Sequence, residues 1–145
     1  MSSDSLPPLT SIPVSPSPTA PTATYTASCH CGAFTYNVTA SPPLDDASAL
    51  VTECNCSICV KNGYLLIYVP DERIVFTQGK FEDLGSYSFA SNSVGHRFCS
   101  TCGSSCMARP TVDGFMPGMT AVNVRMFKDV DVKGLKKRFA DGKSL

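Results

Sequence analysis

Tryptophan is absent from this 145-residue chain, histidine occurs only twice, and the 12 basic side chains are balanced by 12 acidic ones. A formal net charge of zero leaves no overall field to recruit nucleic acid or an acidic membrane. No run approaches the roughly 20 apolar residues of a membrane-crossing helix, and no repeat recurs at solenoid spacing. The amino terminus lacks a charged start followed by an apolar segment, so it does not read as a secretory leader. Together these absences predict a soluble intracellular chain without membrane contact, cytoplasmic, with a nuclear location also compatible.

Proline, by contrast, is crowded into one place. Residues 1–22 are rich in Pro, Ser and Thr and cannot bury enough apolar surface to order themselves. They are expected to form a disordered lead-in. The composition shifts only once, near residue 23, so residues 23–145 are expected to be a single domain.

Within that domain the apolar pattern is that of short strands. "FTYNV" (34–38) alternates Phe34, Tyr36 and Val38 on one face, and "YLLIYV" (64–69) is a β-prone run stopped by Pro70. "RIVFTQG" (73–79), "SYSFAS" (86–91), "GHRFC" (95–99) and "TAVNVRMF" (120–127) follow at intervals of roughly ten residues, a rhythm typical of all-β domains. Breaks are expected at "QGK", "SNS" and "VDG". Helix signals are sparse: "PPLDDASAL" (42–50) and "DVKGLKKRF" (131–139) each suit one short helical stretch. The run 64–69 can serve an interface as well as a core, so a homo-oligomer is compatible.

Eight cysteines in a reducing compartment point to metal or catalysis more than to disulfides. Seven fall into three clusters: Cys29 and Cys31; Cys54, Cys56 and Cys59; Cys99 and Cys102. Cys-x-Cys on a strand projects both sulfurs from one face, and "CSTCG" is a zinc-knuckle turn closed by Gly103. Two such pairs complete a tetrahedral four-thiolate site, so Cys29, Cys31, Cys99 and Cys102 are assigned to one structural zinc. Such a site contributes folding energy of about 10 kcal/mol in small peptides.

"CNCSIC" (54–59) then holds three thiols, one too many for a disulfide and one too few for a closed zinc site. A zinc held by Cys54, Cys56 and Cys59 keeps one position open, as catalytic zinc does. Two alternatives stand beside this. Cys106, His30 or His96 closes the site as a structural one, or the trio binds no metal.

The segments "SCHCGAFTYNV" (28–38), "CNCSICVKNGYLL" (54–66), "GHRFCSTCGSS" (95–105) and "VNVR" (122–125) resemble, in order, the glutathione-dependent formaldehyde-activating enzyme family, which includes centromere protein V-like proteins. The resemblance covers nearly all of residues 25–145. It implies a mainly β fold, the β-tent, of several small coiled antiparallel sheets pinned by the structural zinc. It also implies that Cys54, Cys56 and Cys59 hold a second, labile zinc at which the thiol of glutathione binds. The implied reaction joins glutathione to formaldehyde, formally a carbon–sulfur lyase in reverse, with a small-molecule thiol and an electrophile as partners.

Other candidates come from chemistry and local position. His96 titrates near neutrality and suits proton transfer, although a strand histidine satisfied by hydrogen bonds is an equal reading. Lys61 follows the triple-cysteine knuckle and can offset thiolate charge. Asn62 and Gly63 are candidates for the pocket rim, and Arg109 or Arg125 for pairing with a substrate carboxylate. Cys106 reads as a small buried hydrophobe. A competing function, a non-catalytic zinc scaffold for protein or nucleic acid, rests only on the basic segment "KGLKKRF" (133–139).

Overall fold

A computed structural model of the chain describes residues 19–90, 92–111 and 118–144. Most of the expected lead-in and the expected break at "VDG" lie outside these residues. Two sheets carry the fold. The smaller has three antiparallel strands in the order β1 (Ala23–Ser28), β2 (Thr35–Ala40) and β5 (Ile74–Gln78). The larger has seven strands, ordered β10 (Lys137–Ala140), β3 (Val51–Cys54), β4 (Leu66–Pro70), β9 (Met119–Asn123), β8 (Ser105–Pro110), β7 (Val94–Phe98) and β6 (Gly85–Tyr87). One pair, β10 with β3, is parallel, so the architecture is less uniformly antiparallel than expected.

The period-two pattern on β2 works as sequence reasoning requires: Tyr36, Val38 and Ala40 are buried while their neighbours are half-exposed. Tyr36 and Val38 meet Val51, Leu65, Met107, Val122 and Val124 from the larger sheet and its flanks in one core. Each fully buried aliphatic or aromatic side chain there contributes about 1.5–3 kcal/mol. Ring stacking between Tyr25 and Phe127, with centroids 5.4 Å apart, holds the outer edge of the small sheet. The run 64–69 is largely consumed by the core, with Tyr64, Leu65, Leu66 and Val69 buried.

Neither expected helix forms. Residues 42–50 fold as turns, because the Asp46 carboxylate accepts from the Ser48 N–H and hydroxyl at 2.8 and 2.7 Å, a local bond that competes with a helical ladder. Residues 131–139 split into a 3-10 turn, Val132–Gly134, nucleated by the Asp131 side chain on Lys133 N–H, and strand β10. The basic segment is therefore partly tied into a sheet edge, with Lys136 Nζ on the Ala47 carbonyl at 3.0 Å. The one α-helix among the described residues, α1 (Ser57–Asn62), lies instead inside the triple-cysteine segment. It ends at Gly63, whose φ of 62° is the left-handed conformation that a helix C-cap requires and that glycine adopts without strain.

Candidate metal centres and the adjoining cavity

Two tight turns build the first cysteine group. Cys29 and Cys31 lie in the β1–β2 turn rather than on a strand, and their sulfurs converge because the chain reverses through Gly32 at φ 84°. Cys99 N–H to the Ser104 carbonyl (3.0 Å) and Gly103 N–H to the Cys99 carbonyl (2.8 Å) form the matching reversal between β7 and β8, with Gly103 at φ 81°. The two turns are joined by His30 N–H on Ser104 Oγ at 3.0 Å. All four sulfurs lie within 4.8 Å of one another. Cys31 Sγ is 3.7 Å from both Cys29 Sγ and Cys99 Sγ. A zinc tetrahedron with Zn–S of about 2.3 Å has an edge of about 3.8 Å, whereas a disulfide requires about 2.05 Å. The geometry fits a metal, and all eight cysteines are free thiols.

The second group forms where β3 runs into α1. Cys54 is the last residue of β3, Cys56 caps α1, and Cys59 sits in its first turn, with all three sulfurs within 4.8 Å. The Cys56 N–H donates to Cys54 Sγ at 3.4 Å. Cys54 is lowered to about 5, first through its hydrogen bond from Cys59, while Cys59 is pushed up by that same bond and by burial. Three sulfurs this close cannot all ionise without a cation between them. Among the described residues no fourth Cys, His, Asp or Glu joins the group. Cys106 is fully buried on β8, with its thiol at 3.6 Å from the Ser104 carbonyl and raised to about 12 by desolvation, outside both groups. An all-sulfur donor set selects a soft or borderline ion such as zinc.

A cavity of about 310 Å3 lies near this second group, sharing two residues with its apolar surroundings, and Gly103 of the first group's turn also lines it. Ile58 and Tyr64 belong both to its wall and to the apolar cluster around Cys59. Asn62, Tyr87 and His96 complete the wall that concerns the chemistry. The Tyr64 hydroxyl is 3.0 Å from His96 Nδ1, and the two rings stack with centroids 5.8 Å apart. Phe89 covers the imidazole at 5.9 Å and stacks in turn on Tyr87. Burial pulls His96 below its usual value, so the imidazole is neutral at pH 7. Burial raises Tyr64 to about 12, which keeps it a phenol. Sequence reasoning missed this ladder of rings, because Tyr87 and Phe89 read only as strand residues and Tyr64 as core.

The remaining candidates scatter. Lys61 is exposed in the last turn of α1. Arg125 donates through Nε to the Gly63 carbonyl at 2.8 Å and so buttresses the end of α1. Arg109 is not brought to the cysteines. Its Nε bonds Thr120 Oγ1 at 2.8 Å, it pairs with Asp71 at 3.4 Å, and its guanidinium lies 3.8 Å from the Phe81 ring centroid. The strand alternation that directs Ala108 towards Cys59 directs Arg109 away.

A mainly β domain whose turns and one short helix gather seven thiols into two compact groups is a metal–thiolate domain by fold and donor set. The chain belongs to the glutathione-dependent formaldehyde-activating enzyme family, whose model matches residues 24–140. It is also similar to a crystal structure of a Rhodobacter sphaeroides protein, a structural-genomics target, with 26% identity and a TM-score of 0.62. That match covers 79% of this chain and 99% of the other. Among the described residues no helix is long and apolar enough to cross a membrane.

Proposed function

We propose that the chain is a zinc-dependent enzyme of carbon–sulfur bond chemistry acting on glutathione adducts, S-hydroxymethylglutathione synthase-like or a related glutathione-linked reaction. The observation that carries this reading is the three-sulfur group with no fourth ligand among the described residues, whose apolar surroundings share Ile58 and Tyr64 with a cavity. Cys29, Cys31, Cys99 and Cys102 would hold a structural zinc, and Cys54, Cys56 and Cys59 a second one. Zinc bound at the second group supplies positive charge that ionises an incoming thiol at neutral pH.

The chain's own residues then have defined tasks. In the forward direction the glutathione sulfur adds to the aldehyde carbon, a C–S bond forms, and the carbonyl electron pair becomes an alkoxide that needs a proton. With Tyr64 a phenol donating to Nδ1, neutral His96 carries its hydrogen on Nε2 and can hand it to a group in the cavity as Nδ1 takes the Tyr64 proton. The proton lost by the thiol restores the balance. Asn62 lines the cavity at the end of α1, Gly63 caps that helix outside the cavity wall, and Lys61 adds positive charge in its last turn. Arg125 sits beside Gly63 with guanidinium nitrogens left for a substrate carboxylate, whereas Arg109 is already engaged.

The test is a pair of variants assayed for S-hydroxymethylglutathione formation. Cys56→Ser should retain the fold and one zinc per chain while losing turnover by at least about a hundredfold, in line with losing a metal site. Normal turnover by Cys56→Ser, with wild-type turnover confirmed, overturns the reading.

A further inference from the structure

The carboxyl-terminal segment returns to the second cysteine group along a path set by the sheet. Parallel pairing of β10 with β3 places Ala140 directly beside Cys54. The next residues, Asp141–Ser144, must therefore cross the knuckle. Asn55, the residue between two of the thiols, fastens them there: its Nδ2 donates to Asp141 Oδ1 at 2.8 Å, and its Oδ1 accepts from Lys143 N–H at 2.9 Å. Its backbone N–H adds a third tie, to the Ala140 carbonyl at 3.1 Å. Ser144 Oγ on Asp141 Oδ2, 2.6 Å, stiffens the segment.

Gly142 is the point of contact. A Cβ built there would collide with Cys54 Sγ and lie 3.2 Å from Cys56 Cβ. Its φ is not in the left-handed region, so the backbone admits any residue and only space demands glycine. We propose that Asp141–Ser144 is a strap that positions Cys54 and Cys56 for metal, with Gly142 as its positioning residue. The strap covers the Cys54–Cys56 side, so the open position faces the side of Ile58, Tyr64 and the cavity. An incoming thiol enters from there. This inference rests on the three-sulfur metal site proposed above.

The test is competitive zinc release from the full-length, zinc-loaded chain to a chelating dye, supported by cobalt substitution. Wild type should release two zincs, one easily and one reluctantly. Gly142→Ala should weaken only the labile zinc, by about 10–100-fold, the usual cost of disturbing groups that orient a ligand. Its cobalt–thiolate absorption should shift, while the affinity of the reluctant zinc stays at its wild-type value. Should Gly142→Ala fail to fold, Asn55→Ala, an exposed change that unties the strap, should weaken the labile zinc in the same direction. Two zincs in wild type with unaltered labile-site affinity in the folded variants overturn the strap alone. A wild-type chain that holds a single zinc overturns the strap together with the metal site on which it depends.

Discussion

Replacing Cys102 with serine removes one corner of the group that links the β1–β2 turn to the β7–β8 turn. The link spans a long stretch of chain, since Cys31 and Cys99 are 68 positions apart. For a cross-link of that span the loss of unfolded-chain entropy is worth about 4 kcal/mol at 25 °C. The net stability of such a domain is about 5–15 kcal/mol, so this is a large share of it. At about 4 °C per kcal/mol for a domain of this size, the unfolding midpoint should fall by about 15 °C. Cys56→Ser breaks a group whose members lie close in sequence, and the same expression gives about 2 kcal/mol, hence about half the shift. Calorimetry on both variants at one fixed free-zinc concentration reads the difference, which matters because bound metal itself raises the midpoint. The reasoning fails if Cys56→Ser is destabilised as much as Cys102→Ser. It fails equally if Cys102→Ser melts within about 3 °C of wild type, a shift too small for the lost cross-link.

Because burial depresses the folded-state value of His96 below 6.5, the unfolded chain binds its proton first on acidification, and stability drops as pH falls below about 6.5. Urea midpoints from pH 8 to pH 5 should decline less steeply for His96→Gln than for wild type; parallel profiles would remove the assignment. The Tyr36 hydroxyl is buried without a nitrogen or oxygen partner, beside the Cys106 thiol. Tyr36→Phe should therefore stabilise the domain by about 1 kcal/mol in denaturant titration, and a loss of that size would show that the hydroxyl is satisfied after all. The Cys56→Ser turnover and Gly142→Ala zinc-release experiments complete the set.

The division between these variants follows from how each site is made. The four-sulfur group draws on two hairpin turns distant in sequence, so it acts on the fold. The three-sulfur group draws on one strand end and one short helix, so its loss should cost the fold less and bear on the proposed chemistry. Ring stacking on His96 gives the cavity a wall of aromatic faces next to that chemistry.

What the sequence determined by itself was whatever depends on short spacing. CxC, CxCxxC and CxxCG place donor atoms within a few residues of one another, and any turn or helix start that accommodates them brings their sulfurs together. The strand pattern of "FTYNV" was equally readable, because alternation is local. The helix in 57–62 was not, since six residues are too few to show an apolar period, and Asp46 and Asp131 diverted two helix-like stretches into turns. Only the tertiary structure decided the long-range matters. It joined Cys29 and Cys31 to Cys99 and Cys102 in space, committed Arg109 to Asp71, and stacked four rings from three segments beside Cys59. It also returned Gly142 to Cys54 through a parallel strand pairing. Each of these is set by strand register across the sheet, which is the sum of many weak packing preferences and leaves no mark in any one segment.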